Sequence, residues 1–137
     1  MSEKLTFAQT YQYDMAKPGI SVPVILKSGA NVFECEAKLD TGSSHCVFKR
    51  SHGLFLDLEL EKGAPQEMHT VTGSFLTYGH EVMISVLGVE TMATVYFAAD
   101  ETFARNVLGR QGWLDRVRLG LIDYDGKLYL SDYHDPA

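Results

Sequence analysis

The chain has 137 residues, 45% apolar and 22% charged, with a formal net charge of -6. That length suits one domain with a core large enough to fold without a disulfide or a metal, and two cysteines, Cys35 and Cys46, make no disulfide framework. The surplus of negative charge, with no basic stripe against it, argues against nucleic acid as a partner.

The start, "MSEKLTFAQTYQYD", has no apolar core behind positive charge, so no secretion signal is expected. No apolar run nears the roughly 20 residues of a membrane span. The expectation is a soluble, cytoplasmic protein without a membrane partner. Residues 1–19 match no recognisable element.

"ISVPVIL" (20–26) and "NVFECEAKL" (31–39) alternate as strands do, and the "KSGA" between them reads as a hairpin turn. Pro23 lacks an amide proton, which places part of the first strand at an edge. "CVF" (46–48) is a short strand, and "KRSHGLFLDL" (49–58) holds a helical turn that Gly53 weakens. Residues 65–88 read as two strands about a tip near Gly73, and "TMATVYFA" (91–98) as another strand. "NVL" (106–108) is short and apolar, and "QGWLDRV" (111–117) is predicted as one short helix anchored by Trp113. "RLGLIDYDGKLYLSD" (118–132) is a hairpin turned by Asp125 and Gly126. Many short strands with closely spaced turns predict an all-β barrel or sandwich.

Within this frame "LDTGSS" stands out, because Asp40 closes an apolar strand and small polar residues follow it. Thr41 and Ser43 offer hydroxyls that orient a carboxylate or bond nearby backbone. Gly42 lets another chain approach closely. The same residues also suit an ordinary turn or a helix N-cap. The apolar flanks, the Gly-tipped hairpin and the later "NVLGR" favour a fixed, presented carboxylate.

"LDTGSS" with "VTGSF" and "NVLGRQGWL" resembles the single-domain aspartic proteases of retropepsin type and their bacterial relatives, over about residues 20–130. The resemblance implies a closed β-barrel or sandwich with one short helix and a flap hairpin, acting as a two-fold dimer. The protease domain would run over 20–131, after an N-terminal segment 1–19 that could touch the partner and before a tail, 132–137. Only one Asp-Thr-Gly is present, so each chain would supply half a site and a homodimer would complete it. Asp40 would be the catalytic acid and base, with no cofactor or metal. Thr41 would bond across the dimer axis, and Ser43 would bond the outer oxygen of Asp40. Gly42, Ser44, Thr72, Gly73, Ser74, Phe75, Val107 and Leu108 would contact a peptide or unfolded protein substrate. Gly109 and Arg110 would be structural, Arg110 facing Asp115 or a carbonyl where retroviral enzymes have an acidic partner. The strand "GKLYLSD" would join a sheet between chains. The alternative is a catalytically silent or partner-activated module that dimerises or binds peptides.

Other groups carry weaker signals. Cys35, His45, Cys46 and His52 fit no common zinc spacing. "GRQG" (109–112) lacks the flanking helices of an RNA-clamping loop. His69 and His80 are expected on the solvent face of the hairpin, and Tyr78 either lines the site or packs on the strand.

Overall fold

The computed structural model describes residues 1–135. In chain order the strands are β1 (Gln9–Gln12), β2 (Ser21–Ser28), β3 (Asn31–Leu39), β4 (Val47–Phe48), β5 (Ala64–Thr70), β6 (Gly73–Val86), β7 (Val89–Ala98), β8 (Val107–Leu108), β9 (Val117–Ile122) and β10 (Lys127–Asp132). One short helix, α1 (Arg50–Phe55), follows β4. The protein is thus mostly β. No helix among the described residues is long and apolar enough to cross a membrane.

The larger sheet runs β2-β3-β8-β4-β7-β6-β5, and β2 also pairs with β6, so the sheet closes partly on itself. Alternation builds the interior. Val22, Val24 and Leu26 of β2, Val82, Ile84 and Val86 of β6, and Val95 and Phe97 of β7 are all buried. Each such side chain contributes about 1.5–3 kcal/mol when withdrawn from water. Trp113 is fully buried among them, as an anchor should be. Pro23 faces Glu36 of β3, whereas pairing with β6 begins only at Ile25, so the proline does sit where β2 has one neighbour.

Three expectations are corrected. Residues 111–117 do not form a helix: only Leu114–Arg116 make a 3-10 turn, with Gly112 N–H donating to Asp115 Oδ1 at 3.0 Å. The β9–β10 connection is longer than two residues, since Ile122 pairs with Lys127. Asp123–Asp125 form a 3-10 turn and Gly126 supplies the left-handed residue at φ 65°. Residues 1–19, which match no element by sequence, supply β1, and this strand occupies an edge that "GKLYLSD" was expected to offer to a second chain. β1 pairs with β10, and buried Tyr13 donates its hydroxyl to Asp123. The smaller sheet is therefore β1-β10-β9, and both edges of "GKLYLSD" are taken within its own chain. Residues 136 and 137 of the expected tail lie outside the described part.

His52 on α1 makes stability depend on pH. It stacks near Phe33 at 4.4 Å and its Nε2 lies 3.1 Å from Asn106 Nδ2, a donor, so Nε2 must be the unprotonated acceptor. Burial, then Lys49, lower its pKa from 6.5. The unfolded chain therefore takes up this proton first, so the stability is complete above about 6.5 and is lost as the pH falls from there through the lowered value of the folded chain. Urea midpoints between about pH 7.5 and about pH 5 should fall in the wild type and fall less in His52→Gln.

Candidate active site

β8 lies between β3 and β4, parallel to the first at Lys38 and Leu39 and antiparallel to the second at Val47. The loop Asp40–Cys46 that joins these two strands folds over the end of β8. Asp40 N–H donates to the Leu108 carbonyl at 3.0 Å. Arg110 and Gln111 N–H donate back to the Ser43 and Ser44 carbonyls, each at 2.9 Å. Gly109 N–H reaches Cys46 Sγ at 3.4 Å. Gly109 is needed for this crossing, because a Cβ there would lie 2.2 Å from the His45 carbonyl oxygen. The two sequence elements that stood out thus lock together.

Asp40 is left with its carboxylate exposed at the head of this crossing. Its Oδ1 accepts the Gly42 N–H at 2.9 Å, and its carbonyl accepts the Ser43 N–H at 3.1 Å. Ser43 does not bond the carboxylate as expected. Its hydroxyl donates to the His45 carbonyl at 2.8 Å, bracing the loop instead. Thr41 and Ser44 are exposed. Arg110 is exposed and no described carboxylate pairs with it; Asp115 turns to Gly112 N–H and to Arg116 at 3.5 Å.

A cleft of about 520 Å³ opens over the loop. Asp40, Gly42, Ser43 and Ser44 line one side, and Gln66–Val71 line the other from the β5–β6 hairpin. Phe75 and Val107 border it, whereas Leu108 is buried beneath. Thr72, Gly73 and Ser74 are exposed at the tip but outside the lining, so the strand entering the tip faces the cleft rather than the tip itself. Thr70 pairs with Gly73 across a two-residue turn, and the Thr70 hydroxyl donates to the Gly73 carbonyl at 3.1 Å. Ser74 Oγ donates to Glu67 Oε1 at 3.0 Å.

Sequence reasoning missed Phe103 and Arg105, which complete the wall. Phe103 stacks on Phe75 with centroids 4.7 Å apart, tying the hairpin to the loop before β8. Their position just upstream of "NVLGR" was the available signal. His69 lines the cleft and is exposed. His80 is instead half-buried, its Nε2 3.0 Å from the Leu60 carbonyl. Tyr78 lies outside the lining.

The cysteines are poor nucleophiles. Burial pushes each thiol up to about 11, so neither is a thiolate near neutral pH. Among the described residues no group of three or more His, Cys, Asp or Glu is placed to hold a metal ion. His45 packs edge-on against Tyr96 at 5.0 Å.

Asn106 ties the three strands under the site. Its Oδ1 accepts the Lys49 N–H at 3.1 Å and its Nδ2 donates to the Glu36 carbonyl at 3.0 Å. Its own carbonyl accepts the Lys38 N–H at 2.9 Å. Asn106→Ala should cost about 2 kcal/mol, read from denaturant midpoints, since it orphans the Glu36 carbonyl on β3 and the Lys49 N–H just after β4. An unchanged midpoint would show that water replaces these bonds freely.

No protein-family model matches the chain, and no curated protein matches it.

Proposed function

We propose that the chain is one half of an aspartic endopeptidase of retropepsin type, completed by a second copy. The observation that carries this reading is the position of Asp40. It stands exposed beside a cleft, on a loop braced by β8, under a β-hairpin. An extended peptide fits such a cleft through main-chain hydrogen bonds.

The chemistry needs two carboxyls. Two of them in contact cannot both ionise cheaply, so a pair shares one proton. The charged Asp40 takes a proton from water, and the hydroxide so formed attacks the peptide carbonyl carbon. The protonated Asp40 of the second copy donates to the carbonyl oxygen. Collapse of the tetrahedral adduct breaks the C–N bond, and the amine leaves with a proton from the pair. Gly42 N–H holds one oxygen of Asp40 in place throughout.

Assembly must use a surface other than the edges of β10, which β1 and β9 occupy. The outer edges of β1 and β9 are the unpaired ones in that sheet. Unfolded casein should be cleaved between about pH 3 and about pH 7, and sedimentation should show the active form to be a dimer. A strictly monomeric protein that still cleaves would overturn the two-copy site. A dimer that binds peptides without cutting them, with Asp40 intact, would instead support the silent-module alternative.

A further inference from the structure

Beside the cleft lies a second groove of about 260 Å³, and Arg105 lines both. Lys38, Lys49 and Arg105 face this smaller groove together. Its one carboxylate, Glu36, is engaged by Lys17 at 2.9 Å. Among the described residues no carboxylate pairs with any of the three cations. In a chain with 18 acidic and 12 basic residues, three uncompensated cations in one groove run against the composition.

Asn106 fixes the backbone from which two of them project. Its side chain and carbonyl fix the backbone of Lys49 on one side and of Glu36 and Lys38 on the other. Ser21 adds a hydroxyl to the lining. Like charges lining one groove disfavour one another. A carboxylate entering the groove relieves that repulsion and gains charge-assisted hydrogen bonds, the fork of Arg105 accommodating both of its oxygens.

We propose that this groove is an acid-selecting subsite, taking an Asp or Glu side chain of a peptide that lies extended in the main cleft. Arg105 is the specificity residue, since it alone faces both spaces. The subsite deepens the endopeptidase reading and rests on it for the peptide's presence in the cleft. It also separates the substrate's negative charge from Asp40 and Glu67, which face the main cleft without Lys38 or Lys49 beside them.

The test is a set of peptides sharing one cleavable pair, with Asp, Asn or Lys placed in turn at each flanking position. Wild-type protein should cut the Asp peptide about tenfold faster than its Asn counterpart at one position, less so in high salt. Arg105→Glu should reverse the order there in favour of Lys. Lys38→Glu, at another exposed position, should weaken the preference independently, with circular dichroism checking that both variants fold. The same peptides, fluorescein-labelled, are then bound to Asp40→Asn protein and read by anisotropy. Cleavage with no charge preference, or with one that Arg105→Glu leaves in place, overturns the subsite and leaves the endopeptidase standing. Binding with the preference but no cleavage by the wild type keeps the subsite and removes the catalytic reading. Neither cleavage nor selective binding overturns both.

Discussion

Replacing Asp40 by Asn should lower casein hydrolysis by at least about a thousandfold while leaving the melting temperature almost unchanged. The two halves of this expectation have different causes. The amide keeps an oxygen to accept the Gly42 N–H, and the side chain is exposed, so the fold loses little: within about 0.5 kcal/mol. The amide cannot take a proton from water, however, and in a symmetric pair the substitution removes both acid and base at once. Residual activity near the wild-type rate would mean that Asp40 is not the reacting group. A large drop in melting temperature would mean instead that the carboxylate is structural.

Gly109→Ala should cost about 3 kcal/mol or more, a fall of roughly 10 °C in melting temperature, and abolish activity with it. The added Cβ would sit 2.2 Å from the His45 carbonyl oxygen, 2.7 Å from the His45 carbonyl carbon and 2.8 Å from the Ser43 carbonyl oxygen. All three are backbone atoms, so no flexible side chain can yield. The loop cannot retreat without breaking the bonds from Arg110 and Gln111 to Ser43 and Ser44. Gly29→Ala offers the contrast. There φ is +57° and no atom lies within 4 Å, so only the left-handed backbone is penalised, at about 1–2 kcal/mol. Equal costs at the two positions would show that the crossing over β8 is loosely held.

The residues that the sequence made legible are those with short-range causes. β2 and β3 announce themselves by alternation, and their register from Ser21–Lys38 to Ser28–Asn31 keeps that alternation unbroken. "LDTGSS" and "NVLGR" stood out by composition and by resemblance, and the bonds between Asp40 and Leu108 and between Arg110 and Ser43 place those segments side by side. What escaped has long-range causes. β1 is polar and mostly exposed, and pairs with a strand more than a hundred residues away, so its own pattern said nothing. "QGWLDRV" had helical composition, but burying Trp113 and bonding Asp115 to Gly112 left room for only a single turn. Ser43 had two acceptors within reach, and only the folded loop decides that it serves His45.

The length of β6 bears on how the cleft can open. From Thr77 to Val86 this strand is laddered to β7 as part of the wall, whereas Gly73–Leu76 find strand partners only in β5. The hairpin is therefore a cantilever rather than a door. Its overhang of four residues spans roughly 13 Å, and the Phe75–Phe103 stack clamps it near the root. The Ala99 N–H, donating to the Leu76 carbonyl at 2.9 Å, fastens the same root, so only the tip beyond it is free of the wall. On the endopeptidase reading, that geometry favours a single extended segment of chain, entered from the side, over a bulky folded substrate.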